Sequence, residues 1–118
     1  MNIEQLRNYC IGKKAVEESF PFDEETLVFK VMGKAFLLAG IESKPLEFNV
    51  KCEPGLAIQL REKYNCVKPG FHMNKKHWNT VVCDNTVNIS LLKHWIDHSY
   101  DEVVKGLSKK QRQEFEKL

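Results

Sequence analysis

Two stretches of this chain alternate apolar and polar residues with a period of two, and that pattern limits the fold more than any other feature. Over residues 26–32, Leu27, Phe29 and Val31 point to one side, and Thr26, Val28 and Lys30 to the other. Over residues 46–52, Leu46, Phe48, Val50 and Cys52 share a side, with Glu47, Asn49 and Lys51 opposite. Successive strand side chains face opposite ways, so each segment reads as a strand with one buried face. A slip of one residue would turn the whole apolar set toward water, which pins the register. Between the two, Met32-Gly33-Lys34 reads as a turn into an apolar strand over residues 35–41, completing a hairpin.

Helical signals lie outside this block. Asn2 can cap a helix running to about Lys13, with Gln5 at the capping-box position and Ile3, Leu6, Tyr9 and Cys10 as its buried stripe. Residues 16–20 form a short possible strand that Pro21 stops. Pro54 fits the first turn of a helix reaching Lys63. Residues 64–70 read as irregular, ending in a Pro-Gly turn, and residues 78–83 as a strand. The longest helix spans residues 88–106, with Ile89, Leu92, Trp95, Ile96, Tyr100, Val103 and Leu107 on its apolar side and Gly106 ending it. Ser108 can cap a charged final helix anchored by Phe115 and Leu118. Strands arrive consecutively rather than alternating with helices, so the expected class is α+β: a mostly antiparallel sheet of five to six strands with helices on one face. One domain over residues 1–107 and a C-terminal helical extension over 108–118 are expected.

The totals agree. A chain of 118 residues, 42% hydrophobic and 29% charged, can build one core and not two. No apolar run approaches the roughly 20 residues that cross a bilayer. Residues 1–14 lack the apolar centre and cleavage site of an export signal, so a cytoplasmic protein with no membrane partner is expected. Cys10, Cys52, Cys66 and Cys83 are scattered without CxxC spacing and read as reduced, structural thiols.

A net charge of +2 does not by itself point to nucleic acid, but its distribution is uneven. Glu17, Glu18, Asp23, Glu24 and Glu25 surround Phe20-Pro21-Phe22, whose two phenylalanines are expected to clip onto the core. Residues 63–83, in contrast, hold four lysines, two histidines and no acid. Within them the run Pro69-Gly70-Phe71-His72-Met73-Asn74-Lys75-Lys76-His77-Trp78-Asn79-Thr80 combines cations, an amide and aromatics. Lysines neutralise phosphates, amides hydrogen-bond phosphates or bases, and aromatics stack. The competing reading buries Phe71, Met73 and Trp78 and leaves the lysines as a solvated turn. His72 or His77 could serve as an acid or base, yet no carboxylate, nucleophile or metal ligand is near in sequence. His94 and His98, four apart on a helix with Asp101 beyond, have metal-ligand spacing without the HExxH pattern. They read better as the polar flank of that helix, and no metal or other cofactor is expected.

Several of these pieces resemble the MmcQ/YjbR-like family. They are Phe20-Pro21-Phe22-Asp23 with Thr26-Leu27-Val28-Phe29-Lys30-Val31, Gly33-Lys34 before a strand, and Asn49-Val50-Lys51-Cys52-Glu53-Pro54. The block from Pro69 to Val81 and then Ser99-Tyr100 with Val103-Val104 follow in family order. The resemblance implies a frataxin-like (CyaY-like) α+β fold and, through its double-wing shape, a DNA-binding label. It brings no catalytic residues. Nor does it bring the iron binding of frataxins, which needs an acidic first helix; here that helix has only Glu4. The tail over residues 108–118 is longer than the usual family ending.

The combined expectation is a non-enzymatic binding domain with duplex DNA as the leading partner. Lys30, Lys51, Lys68, Lys75 and Lys76 would meet phosphates, with His72, Asn74 and His77 adding hydrogen bonds and Trp78 giving support. The alternative is a protein-interaction or small-ligand-binding domain using the outer sheet face and the same loop. An apolar patch there would favour that alternative over a continuous basic one.

Overall fold

The structure, a computed structural model, describes residues 1–118. Its order is α1 (Ile3–Ile11), β1 (Val16–Ser19), β2 (Thr26–Val31), β3 (Lys34–Gly40), β4 (Glu47–Lys51), α2 (Pro54–Lys63), β5 (Val67–Pro69), β6 (Trp78–Val82), α3 (Ile89–Lys105) and α4 (Lys109–Glu116). The expected α+β class holds: six strands form one open sheet in the order β1-β2-β3-β4-β6-β5, and every neighbouring pair is antiparallel. The segment expected to be irregular supplies β5, because Val67, Lys68 and Pro69 pair with Val81, Thr80 and Asn79. Its proline sits on an edge strand, where a missing N–H is tolerated.

Local chemistry starts each helix. Asn2 Oδ1 accepts from the Gln5 N–H (2.8 Å) while the Asn2 N–H donates to Gln5 Oε1 (3.0 Å), a reciprocal capping box. Glu53 caps α2 by accepting from the Gly55 and Leu56 N–H groups, both at 2.9 Å, and Pro54 occupies the first turn. Those two bonds hold the Glu53 carboxyl below its ordinary pKa. Asn88 accepts from the Leu91 N–H (2.8 Å), and Ser108 opens α4 with Gln111. At the β2–β3 hairpin, Met32 and Gly33 both have positive φ, the conformation that lets a two-residue loop follow the twist of its strands.

The core lies between the sheet and its helices. Leu27, Phe29 and Val31 of β2, Phe48 and Val50 of β4, and Val81 of β6 meet Leu6 and Cys10 of α1 and Leu92, Trp95, Ile96 and Val103 of α3. The β3 strand departs from strict alternation. Phe29 pairs with Leu37 but Lys30 pairs with Ala35, so Phe36 is an extra residue, and both Phe36 and Leu37 are fully buried. A bulge of this kind lets two consecutive side chains serve one core. α3 answers it with Ser99, whose hydroxyl donates to the Phe36 carbonyl (2.6 Å) and accepts from the Lys51 N–H (2.7 Å).

α4 rests on α3 through Phe115 against Tyr100 (ring centroids 6.4 Å apart), with the Lys14 ammonium 4.6 Å from the Phe115 ring. Leu118, expected as a second anchor, is exposed, since the helix ends before it can turn back. All four cysteines are buried and free. Burial pushes the thiol of Cys10 up to about 12 and those of Cys52 and Cys83 to about 11. No helix is long and apolar enough to cross a membrane.

A candidate binding groove on the open sheet face

The sheet's second face is not covered by helices, and its character is set by register. Across the middle runs one row, Val28 of β2, Leu38 of β3, Asn49 of β4 and Thr80 of β6, each the aligned partner of the next. Two residues along is a second row holding Lys30 and Ala35, and two residues the other way a third holding Thr26 and Gly40. The expectation of a polar outer face is therefore corrected at its centre. Val28 and Leu38 are the floor, and Val28 is only 1% exposed although it points away from the main core.

Loops wall this floor. Phe22, in the β1–β2 loop, and Phe71, in the β5–β6 loop, line the same groove as Val28, Leu38, Lys30 and Asn49. The cavity is about 610 Å³, within the range of small-molecule sites. Neither phenylalanine enters the core: Phe22 is 74% and Phe71 69% exposed, and Phe20 is exposed as well. The physical reason is geometric. These loops close over the open face, away from the helices, so there is no helical layer for their rings to enter.

A short hydrogen-bond relay ties the Phe71 loop to the sheet. The Phe71 N–H donates to Thr80 Oγ1 (2.9 Å), and the Thr80 hydroxyl donates to Asn49 Oδ1 (2.5 Å). Accepting that proton orients the Asn49 amide and leaves its NH2 without a protein partner. No buried side-chain polar atom lacks a hydrogen bond, so this NH2 is open to the groove.

The β5–β6 loop is also held from behind. Arg61 of α2 donates through Nε to Asn79 Oδ1 (2.6 Å) and through Nη2 to the carbonyls of Trp78 (3.1 Å) and Lys75. Asn79, buried in β6, returns a bond to the Ala57 carbonyl (3.4 Å). Gly70 makes the crossing possible: a Cβ there would lie 2.9 Å from Trp78 Cβ and from the Trp78 carbonyl oxygen. Trp78 is half-buried and supports the loop, its carbonyl accepting from the Gly70 N–H (3.0 Å). The sequence alone singled out no role for Arg61. A cation two residues before the end of a helix gives no sign that acceptors at Lys75, Trp78 and Asn79 will converge on it.

The eight residues expected to meet a nucleic acid divide among several surfaces. Lys30 and His72 line the groove. Lys51 and His77 line a separate depression with Glu53, Glu102 and Lys105. Lys68 and Lys76 are exposed. Asn74 organises the turn, its Oδ1 accepting from the Lys76 N–H (2.9 Å) and its carbonyl from the Trp78 N–H (3.0 Å). Lys75 donates from Nζ to the Gly70 carbonyl (2.9 Å), which commits it to the loop.

The acidic segment is structural in large part. Glu18 forms a bidentate pair with Arg7, with N···O distances of 2.6 and 2.7 Å. Asp23 accepts from the Glu25 and Thr26 N–H groups (2.9 and 2.7 Å), bonds that hold its carboxyl below the ordinary range. The helical histidines do not converge with a third ligand. His98 Nε2 accepts from the Glu53 N–H (3.2 Å), and no group of three His, Cys, Asp or Glu side chains in the chain is arranged to hold a metal ion.

Fold and groove together define a small α+β domain with one helix-covered and one open sheet face. This chain belongs to the YjbR family, whose model matches residues 11–102. It is 38% identical over 108 residues to the uncharacterised protein YbdF of Escherichia coli O157:H7, covering 91% of this chain and 88% of that one. It is 33% identical over 113 residues to the uncharacterised protein YjbR of Escherichia coli strain K12, covering 95% of each. The crystal structure of protein DR2400 of Deinococcus radiodurans, a DUF419 domain, superposes with a TM-score of 0.89 at 39% identity, over 97% of this chain and 87% of that one. A protein from Pseudomonas syringae superposes with a TM-score of 0.74 at 25% identity, over 86% and 98%. None of these names carries an activity, so function is argued from the groove's own chemistry.

Proposed function

We propose that this protein is a non-enzymatic binding module that holds its ligand on the open face of the sheet, in a reducing, cytoplasmic setting consistent with its free thiols. The observation that carries the reading is the placement of Phe22 and Phe71, exposed on two separate loops beside one apolar floor. Exposed aromatics gathered over an apolar surface mark a place that a ligand or partner covers. Binding is favoured over catalysis by the histidines, because His72 opens onto the groove and His77 onto a different depression. An NMR screen of 15N-labelled protein against neutral, anionic and peptide probes tests it. Shifts should gather at Phe22, at residues 26–30 and at residues 71–73; hits confined to other surfaces would overturn the reading.

Duplex DNA is the second reading. It is favoured by the ion pairs, whose cations are Arg7, Lys13 and Arg112, leaving Lys30, Lys51, Lys68 and Lys76 free for phosphates. Their spread over different surfaces, with Asp23 and Glu47 at one end of the groove, makes the phosphate track discontinuous. Fluorescence anisotropy with a random duplex at several salt concentrations decides it. Salt-sensitive binding lost in Lys68→Glu/Lys76→Glu supports DNA. No binding at low salt removes it.

A further inference from the structure

The groove holds three different environments in series along the strands, and their charges select one kind of partner. This step rests on the groove being the binding site. At one end Thr26 of β2 is aligned with Gly40 of β3, and Glu47 of β4 stands beside Gly40, one step beyond the Ala39–Phe48 pair. Gly40 has no side chain, which leaves a notch two strand spacings, or about 10 Å, across. Phe22, Asp23 and Ser43 complete its lining. Asp23 accepts the Glu25 and Thr26 N–H groups, so it supplies charge more than a free acceptor. Glu47 is exposed, and neither acid is in an ion pair. Exposed Glu24, Glu25 and Glu42 flank the notch in sequence, against Lys44 alone.

The middle row is the apolar floor of Val28 and Leu38, with Phe22 and Phe71 beside it and the free Asn49 NH2 next in line. In the row beyond, Lys30 is aligned with exposed Glu17 of β1, and their charges balance. The uncompensated charge of the groove is therefore negative and lies at the notch. Successive rows are two residues, about 7 Å, apart, the spacing at which alternate side chains of an extended peptide share a side. We infer that the groove docks an extended segment of a partner protein in which a basic residue stands two positions from an apolar one. The basic side chain enters the Gly40 notch between Asp23 and Glu47, and the apolar one covers the Val28–Leu38 floor between Phe22 and Phe71. Arginine fits best, because its planar guanidinium can pair with the free Glu47 carboxylate and stack on the Phe22 ring. The Asn49 NH2 is placed to donate to a carbonyl of the peptide backbone. A small organic cation would fill the notch and leave the floor and Phe71 uncovered, whereas an acidic segment would be repelled at the notch.

The test is a set of 15N-resolved NMR titrations with three capped peptides: Ser-Arg-Ser-Leu-Ser-Ser, the same peptide with Glu for Arg, and Ser-Ser-Arg-Leu-Ser-Ser, which places the charge next to the leucine. The first should move the amides of Gly40, Glu47 and residues 26–28 and 71–73 together with the Asn49 side-chain NH2 signals. It should saturate at a concentration at least tenfold lower than the glutamate peptide and at least threefold lower than the shifted one. Glu47→Gln removes an exposed charge that holds no other group, so it should weaken the first peptide at least fivefold with the folded spectrum retained. Equal affinity for the arginine and glutamate peptides, or full binding in Glu47→Gln, would overturn the basic partner. Equal affinity for the two arginine peptides would overturn the extended spacing. Failure of all three peptides, with small neutral or anionic probes still shifting the groove amides, would overturn the docking inference and leave the groove as a site. Absence of groove shifts with every probe would overturn both this inference and the function it rests on.

Discussion

The Ser99 hydroxyl, fully buried on α3, donates to the carbonyl of Phe36 at 2.6 Å. Phe36 is the residue that the register shift leaves without a β2 partner, and Ser99 also accepts the Lys51 N–H at 2.7 Å. One small polar side chain thus serves two backbone groups of adjacent strands beneath the long helix. Ser99→Ala removes both bonds while changing volume little. Leaving a buried donor and a buried acceptor unmade costs about 1–3 kcal/mol each, so a loss of about 2–4 kcal/mol is expected. Urea unfolding should show a lower midpoint with an unchanged slope. A loss below about 0.5 kcal/mol would mean that water replaces the hydroxyl.

Arg61 fastens the loop that carries Phe71 and His72 through one side chain and two backbone acceptors. Arg61→Lys keeps the charge but loses the planar fork that reaches them together. Both Arg61→Lys and Arg61→Ala should therefore speed amide exchange over residues 70–78 with little change in β2 and β3. An effect spread evenly over the sheet would show instead that Arg61 supports the whole domain.

Asp97 links α1 to α3 by accepting from the Tyr9 hydroxyl (2.6 Å) and from Lys13 (2.5 Å). Desolvation raises the Asp97 pKa, but the bonds from Lys13 and Tyr9 outweigh it and the net shift is downward. Stability from this group is present above its unfolded value of about 4 and is lost as pH falls through the depressed folded one. Tyr9 has the opposite sign. Desolvation first, then the bond to Asp97, pushes it from 10.0 up to about 12, so its contribution holds below pH 10 and disappears as pH rises toward 12. Thermal midpoints measured from pH 9 to 12 should fall less steeply in Tyr9→Phe than in the wild type. Parallel curves would remove Tyr9 from the alkaline transition.

Phe22 and Phe71 are a test of site against core. Buried phenylalanines cost about 3–5 kcal/mol when truncated to alanine, whereas exposed positions shift stability by about 0.5 kcal/mol or less. Phe22→Ser and Phe71→Ser should leave the unfolding midpoint nearly unchanged while abolishing groove binding. A large loss of stability would return both rings to a structural role.

Much of the fold was legible in the sequence because its signals are local. Alternation in β2 and β4, the caps Asn2 and Ser108, and the Met32-Gly33 turn each depend on a few adjacent residues. The α+β class followed from their order. The site was less legible. Its basic, aromatic loop stood out, and Lys30 and Asn49 were correctly assigned to the outer face, but alternation says only that a strand has two faces. It does not say that Val28 and Leu38 will make the centre of the open one apolar.

The chain by itself determined where the helices start and where the β2–β3 hairpin turns, since hydrogen-bond satisfaction at caps and turns is decided within a few residues. Tertiary structure alone decided the bulge that sends Phe36 and Leu37 into one core, the pairing of β5 with β6, and the convergence of Arg61 on a loop at least 14 residues away. It also decided that Phe22 and Phe71, 49 positions apart in the sequence, share a groove. Such arrangements depend on contacts between distant segments, and residue type and spacing fix what a side chain can do before those contacts fix where it does it.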